Sequence, residues 1–170
     1  MILETERLLL RELTREDFPA LCAILQDREV MYAYEGPFSD REVWDWLERQ
    51  QDRYARLGYG LWAAVRKETG EMIGQCGLTM QVWREEQVLE IGYLFQRAQW
   101  HQGYATEAAR RCKEYAFQEL DAEEVCSIIR DTNLPSQRVA LRNGMAPQDR
   151  WTKHYRGVDM PHTRYVAVRG

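Results

Sequence analysis

The stretch that decides the fold is Phe95-Gln-Arg-Ala-Gln-Trp-His-Gln-Gly-Tyr-Ala-Thr-Glu-Ala108. It completes an apolar run typical of a strand, and beyond Gly103 its apolar residues recur at helical spacing. The pattern predicts a strand, a short loop and the start of a helix. A helix start offers backbone N–H groups without partners, and small residues let an anion approach them closely. The stretch is therefore a candidate anion cradle, although Gly103 taken alone also fits an ordinary turn.

The periodicity on either side of this stretch predicts the remaining elements. Ser39 and Glu42 resemble a capping box at one helix start, and Gly58 is typical of that helix's end. The predicted elements are a strand over 2–13, helices over 15–27 and 40–56, strands over 61–65, 71–80 and 87–95, a helix over 104–119, a strand over 125–130, a helix over 134–143 and a hairpin over 145–168. The strands from 60 to 95 follow one another as an antiparallel meander. The order β-α-α-β-β-β-α-β-α-β-β predicts an α+β fold.

Composition excludes several classes of protein. The chain has 170 residues, a length that fits one domain, and a net charge of −4, which argues against binding nucleic acid or anionic membranes through bulk charge. No segment is apolar enough to span a membrane, and the first residues are acidic where a signal peptide needs basic ones. The four cysteines are far apart and lack metal-ligand spacing, so we expect free thiols in a reducing cytoplasm and no metal site.

Two common phosphate-binding loops are also excluded. The chain contains no GxxxxGK[ST] motif. Residues 58–63 match GxGxxA, but they precede a predicted strand, whereas a dinucleotide-binding loop follows one. The match at 58–63 is therefore a coincidence of sequence.

The segment Trp100-His-Gln-Gly-Tyr-Ala-Thr-Glu-Ala108 resembles the acetyl-CoA-binding segment of the GNAT N-acetyltransferases, [Q/R]-x-x-G-x-[G/A]. It is closer still to the W-G-x-G-Y-A-T-E-A form of the Rim-type branch, named for enzymes that acetylate ribosomal-protein N-termini. Further segments similar to that branch follow in its order, over residues 5–11, 70–77, 90–93 and 133–145. His101 departs from the branch, which has glycine there, and its side chain points either toward the phosphate path or away from it.

The resemblance covers nearly the whole chain and implies one N-acetyltransferase domain over residues 1–170. It implies a mixed, mainly antiparallel central sheet flanked by helices, with acetyl-CoA as cosubstrate and no metal. Pantetheine would lie between two splayed strands, 87–95 and 124–130. The implied acetyl-CoA contacts are Leu94, Phe95, Gln102, Gly103, Tyr104, Ala105, Thr106 and Asn133. Asn133 also fits an ordinary helix cap, followed by Pro135 in the first turn.

Two residues are candidates for the chemistry. Glu90 lies in the apolar run Val88–Phe95, where burial would raise the pKa of its carboxyl toward that of a general base. Alternatively, the Glu90 carboxylate has a structural role, and a water relay to bulk solvent serves as the base. The resemblance implies that Ser136 protonates the departing thiolate, and its place one turn after Asn133 suits a shared site. A local helix-capping serine is the other interpretation.

The amine acceptor is predicted in less detail than the cosubstrate. The resemblance implies that Tyr32, Tyr34 and Glu35 line its pocket, and that the acceptor is a primary amine on a protein N-terminus or a small molecule. A monomer and a homodimer are both compatible with it. A non-catalytic acyl-CoA sensor with the same fold is the alternative function, and intact Glu90 and Ser136 favour the enzyme.

Charge is unevenly distributed along the chain. Residues 1–56 hold 8 basic and 13 acidic side chains, whereas residues 96–113 hold four basic and one acidic. The basic segment coincides with the proposed anion cradle. The acidic segment covers helices expected beside the acceptor and predicts an approach suited to a cationic amine.

Overall fold

The computed structural model describes residues 2–34, 36–155 and 157–170. Over these residues the chain forms one eight-stranded sheet in the order β1-β2-β3-β4-β5-β6-β8-β7. The elements are β1 (Ile2–Glu4), β2 (Leu8–Arg11), α1 (Phe18–Leu25), α2 (Asp40–Leu57), β3 (Leu61–Arg66), β4 (Met72–Trp83), β5 (Glu86–Phe95), α3 (Tyr104–Gln118), β6 (Glu124–Arg130), α4 (Leu134–Arg142), β7 (Ala146–Tyr155) and β8 (Val158–Val168). The neighbouring strands run antiparallel except β5 and β6, which run parallel. The predicted α+β fold with a mainly antiparallel sheet is confirmed.

The first predicted strand was wrong in one respect. Residues 2–13 form two strands, β1 and β2, that pair with each other through a turn at Thr5–Arg7. The carboxylate of Glu107, in the first turn of α3, holds this turn. It accepts hydrogen bonds from the Thr5 hydroxyl at 2.5 Å and from the Arg7 backbone N–H at 2.8 Å, and it pairs with the Arg7 side chain at 2.7 Å. A partner 100 residues away thus holds the turn at the polar residues between the two apolar strands.

Helices α2 and α3 cover opposite faces of the sheet. Trp46 of α2 donates a hydrogen bond to the side chain of Gln75, whereas Cys112 of α3 lies 3.7 Å from the sulfur of Cys76. Successive residues of a strand point to opposite faces, so the two helices lie on either side of β4. The apolar stripe predicted for α3 is buried at Ala108, Ala109, Cys112, Tyr115 and Ala116. The capping box of Ser39 and Glu42 begins α2, and Gly58 ends it, as the sequence predicts.

Close packing of β3 against β4 depends on Gly77. A Cβ atom at this position would lie 2.0 Å from the backbone oxygen of Gly60. We expect Gly77→Ala to lower the free energy of unfolding by about 3 kcal/mol, because backbone atoms must move to admit the methyl group. The measurement is urea denaturation. Gly92→Ala is the matched control, since its Cβ would meet only the Leu61 side chain at 3.4 Å, and equal losses in the two variants would contradict the expectation.

Candidate active site

Strands β5 and β6 separate along their length and leave a gap in the sheet. Among the described residues they share one backbone pair, Glu90 with Cys126. Beyond it, β5 stays paired with β4 as far as Phe95, and β6 stays paired with β8 as far as Arg130. The two strands therefore diverge toward their carboxyl ends and leave backbone groups without strand partners on both sides. The predicted splaying of 87–95 from 124–130 is present.

The gap opens into a cavity of about 360 Å³. Both catalytic candidates, Glu90 and Ser136, line it. The strands of the sheet and α2 supply most of the wall, and the first turn of α4 and the segment before α2 complete it. Further lining residues are Tyr34, Trp46, Arg49, Gln50, Arg53, Thr79, Tyr93, Leu94, Ser127, Ile128, Arg130, Asn133, Lys153 and His162.

Glu90 sits where the strands part. Its carboxylate accepts a hydrogen bond from the Ile128 backbone N–H at 2.7 Å and so spans the beginning of the gap. Burial raises the pKa of this carboxyl to about 7, because desolvation outweighs the Ile128 hydrogen bond and the positive charges of Lys153 and Arg53. At neutral pH such a group exchanges protons readily, as a general base must.

Ser136 is held in the cavity by two neighbours. The Asn133 side chain caps α4 and accepts from the Ser136 backbone N–H at 3.3 Å, so the helix-cap interpretation of Asn133 is confirmed. The Tyr93 hydroxyl donates to the Ser136 carbonyl at 2.8 Å and ties α4 to β5. Tyr93 ends the segment 90–93 that resembles the Rim-type branch, but it was assigned no role from the sequence.

The loop between β5 and α3 is ordered by its own residues. The Trp100 indole donates to the Phe95 carbonyl at 3.0 Å, and His101 and Gly103 have left-handed backbone angles, with φ of 64° and 84°. The His101 side chain is exposed and meets the edge of the Trp100 ring. Helix α3 then begins without a side-chain cap. Backbone N–H groups at this helix start thus lack the side-chain acceptor that Asn133 supplies to α4.

The predicted acetyl-CoA contacts differ in what they expose. Gln102 and Gly103 lie on the surface of the loop, and Ala105 is half-buried. The hydroxyl of Thr106 is buried without a hydrogen-bond partner among the described residues. Phe95 packs against Gly74, and Tyr104 is buried beneath the Arg7 guanidinium at 4.2 Å, so the side chains of both serve packing and leave backbone groups for a ligand.

One hydrogen bond shows which residues of β5 turn their backbone N–H and C=O groups toward the gap. The Ser127 hydroxyl donates to the Ile91 carbonyl at 2.8 Å, so the Ile91 backbone faces the gap. Because backbone directions alternate along a strand, Tyr93 and Phe95 also present their N–H groups to the gap, whereas that of Leu94 faces β4. Leu94 therefore reaches the cavity through its side chain and not through its N–H.

The predicted acceptor residues divide three ways. Tyr34 lines the cavity and packs edge-on against Trp46. Tyr32 is not among the lining residues, but its ring lies 5.6 Å from the guanidinium of Arg130, which is one of them. Glu35 falls outside the described residues.

The predicted acidic approach to the acceptor was wrong. Among the described residues, Glu90 is the one carboxylate that lines the cavity, and it shares the wall with Arg49, Arg53 and Lys153. The net charge of residues 1–56 conceals this because the acids of α2 lie on its outer face. Asp45 pairs there with Arg41, and Asp52 with Arg56.

The described part of the chain contains neither a metal-binding cluster nor a helix that could span a membrane. No group of three His, Cys, Asp or Glu side chains in residues 2–34, 36–155 and 157–170 is arranged to hold a metal ion. None of the helices over these residues combines the length and the apolar character that crossing a membrane requires.

Residues 7–146 match the family model described as Acetyltransferase (GNAT) domain. The match spans most of the chain, and the chain belongs to the GNAT acetyltransferase family. It is an acyltransferase of the N-acetyltransferase type. The family uses acetyl-CoA, the cosubstrate that the sequence resemblance implied.

Relatives and solved structures agree with this assignment. The chain is 39% identical to the uncharacterised protein YkkB of Bacillus subtilis (strain 168) over 144 residues, or 84% of each chain. A GNAT-family acetyltransferase from Bacillus anthracis shares its fold with a TM-score of 0.84 at 22% identity, over 99% of this chain and 98% of that one. The structure of RimL, the ribosomal L7/L12 alpha-N-protein acetyltransferase, in complex with coenzyme A has a TM-score of 0.79 at 18% identity. The match covers 99% of this chain and 98% of that one. The Rim-type resemblance is thus confirmed at the level of the fold.

Proposed function

We propose that this chain, as one N-acetyltransferase domain, transfers the acetyl group of acetyl-CoA to a primary amine by direct attack within a ternary complex. The acceptor amine belongs to a protein N-terminus or a small molecule. The observation that carries the proposal is that Glu90 and Ser136 line one cavity where β5 and β6 part. When bound, acetyl-CoA supplies an acetyl group activated as a thioester.

The residues present fit this cosubstrate. The uncapped start of α3 and the unpartnered Thr106 hydroxyl offer donors to a phosphate, and the dipole of α3 favours negative charge there. The diverging strand edges of β5 and β6 offer hydrogen bonds to an extended chain of amides, which is the chemistry of pantetheine. The N–H groups of Tyr93 and Phe95 are the proposed partners on β5.

Glu90 is the proposed general base. An alkylammonium cannot attack a thioester, so one proton must leave the amine. With a pKa of about 7 the Glu90 carboxylate accepts that proton, directly or through one water, near neutral pH. The Ile128 N–H fixes the orientation of the carboxylate.

Ser136 is the proposed general acid. As the new C–N bond forms, the nitrogen releases its second proton to solvent, and the C–S bond breaks with its electron pair staying on sulfur. The Ser136 hydroxyl donates a proton to this thiolate and regains one from solvent. Asn133 and Tyr93 are positioning residues, because both bind the Ser136 backbone and neither is required to touch the reacting atoms.

Ser136→Ala is expected to lower kcat by about tenfold to a hundredfold while leaving the KM for acetyl-CoA within about twofold, because the hydroxyl is needed only as sulfur departs. Steady-state thiol release at saturating amine measures this. Arg138→Ala, an exposed position on the same helix, is the control. An unchanged kcat in Ser136→Ala would remove the serine from the mechanism.

The proposed function is tested by following free thiol release from acetyl-CoA with a panel of amines that includes N-terminal peptides, polyamines and small amines. Turnover above background that depends on the amine supports it. Binding of acetyl-CoA without turnover on any amine would instead support a non-catalytic acyl-CoA sensor. In that case Glu90→Gln and Ser136→Ala would leave any function of the chain unchanged.

A further inference from the structure

Helix α2 presents two arginines to the cavity. Arg49 and Arg53 are four residues apart, so they lie one turn from each other on one face of the helix. Both line the cavity that contains Glu90. The Arg53 guanidinium donates to the Gln50 side chain at 3.1 Å, and the Gln50 amide is itself fully buried and accepts from the Leu61 backbone N–H. Arg53 is therefore held at a defined place in the wall.

These cations form no direct ion pair, although Arg53 and Lys153 act electrostatically on the Glu90 carboxylate. Among the described residues, no carboxylate forms an ion pair with Arg49 or Arg53, although many other arginines of the chain are paired. Lys153 adds a third cation from β7 and likewise has no ion pair in the described part of the chain. Arg53 and Lys153 are half-buried, whereas Arg49 is exposed. Burial and the neighbouring charge of Arg49 lower the pKa of Arg53, and Glu90 opposes them. Glu90 is the one carboxylate among the described lining residues, so the positive charges of Arg49, Arg53 and Lys153 exceed the negative charge there. An excess of like charge is destabilising unless an anion occupies the site.

Arg53 lies at the Glu90 end of the cavity, away from the acetyl-CoA loop. Along the sheet, Gln75 is opposite Leu94, next to the acetyl-CoA loop, whereas Thr79 is opposite Glu90. Trp46 reaches Gln75, and α2 then runs away from the loop, so that Gln50 reaches Leu61, which is opposite Gly77. Arg53 is one turn further on, beside Glu90 and remote from the start of α3. Phosphates bound at the start of α3 do not account for it.

We propose that the amine acceptor carries a carboxylate or phosphate group, which Arg49 and Arg53 bind while Glu90 takes the proton from the amine. This inference rests on the proposed acetyl transfer and names the class of its substrate. A guanidinium matches both oxyanions through paired N–H donors. A purely cationic acceptor such as a polyamine meets repulsion from the same wall.

The test compares matched acceptors. β-Alanine is paired with β-alaninamide and phosphoethanolamine with ethanolamine, and spermidine serves as the purely cationic amine. We expect kcat/KM to be at least about tenfold higher for the member that carries the carboxylate or phosphate in one or both pairs, and which pair responds distinguishes the two groups. Amines without such a group reacting as well as both members that carry one would overturn the inference while leaving acetyl transfer established.

Variants then locate the effect. Arg49→Gln with Arg53→Gln is expected to raise the KM for the acceptor that carries the carboxylate or phosphate by at least about tenfold, while the KM for acetyl-CoA and the KM for the acceptor without that group stay within about twofold. Arg56→Gln, on the outer face of α2 where it pairs with Asp52, is the control. Equal KM values in the double variant and the wild type would overturn the inference.

A binding measurement keeps the inference testable if no amine is acetylated. Succinate is titrated calorimetrically in the presence of CoA. It is expected to bind the wild type and Arg56→Gln alike, and the double variant at least about tenfold more weakly. Absent binding, or equal binding to all three, would overturn the inference independently of the proposed function.

Discussion

Glu90→Gln is expected to lower kcat by about a hundredfold or more, because the amide occupies the same space but accepts no proton from the amine. The amide oxygen still accepts from the Ile128 N–H, so the gap keeps its shape. In the wild type, log kcat should rise with pH and level off near the pKa of Glu90, about 7. The variant should lack this inflection. Rates measured from about pH 5.5 to 9 at saturating amine and acetyl-CoA check both expectations.

The control for this variant is Glu86→Gln, at an exposed position of the same strand. It should retain the wild-type rate and pH profile. A Glu90→Gln enzyme with wild-type kcat and the same inflection would show that another group, such as a water relay, takes the proton.

The stability of the fold supplies a second readout for Glu90. Its pKa rises from 4.5 to about 7 on folding, so the folded state binds more protons than the unfolded state between these values. The free energy of unfolding contributed by Glu90 is therefore fully present below pH 4.5 and is lost as pH rises through about 7. In Glu90→Gln this loss should be absent, as denaturation at several pH values would show.

Gly103→Val is expected to weaken acetyl-CoA binding by at least about tenfold. Gly103 has φ of 84° at the start of α3, a conformation that costs a β-branched residue about 1–2 kcal/mol, and the valine side chain would stand where a phosphate approaches the helix start. A Cβ there would also lie 3.4 Å from the Arg7 guanidinium. The measurement is the Kd for CoA by calorimetry, together with the free energy of unfolding.

The control separates backbone strain from lost binding. Gly58 has φ of 81° at the end of α2 and lies outside the loop, and a Cβ atom added to it would meet nothing within 4 Å. Gly58→Val should lose similar stability and keep wild-type affinity for CoA. If both variants bind CoA as the wild type does, the loop is not the phosphate site.

Local patterns were sufficient for much of the fold. The capping box at Ser39, the stop at Gly58 and the apolar stripe of α3 are short-range signals, and the structure has each of them where the sequence predicts it. The division of residues 2–13 into β1 and β2 escaped prediction because Glu107, which binds the turn, is remote in sequence. Long-range partners of this kind leave no periodic trace.

In the candidate site, too, local sequence patterns identified some residues and missed others. Glu90 was found because a carboxylate in an apolar run implies burial and a raised pKa. Arg49 and Arg53 were missed because segment charge averages over all faces of a helix, whereas only one face lines the cavity. Their spacing of four, in register with Trp46 and Gln50, is the signal that could have identified this face.

The central claim is that the gap between β5 and β6 holds the acetyl thioester between Glu90 and Ser136. A crystal structure of the chain with CoA tests it most directly. The account predicts pyrophosphate at residues 101–106, pantetheine between β5 and β6, and the thiol sulfur within hydrogen-bond reach of the Ser136 hydroxyl, on the side facing Glu90. A pantetheine chain lying outside the gap, or a sulfur remote from both residues, would contradict it.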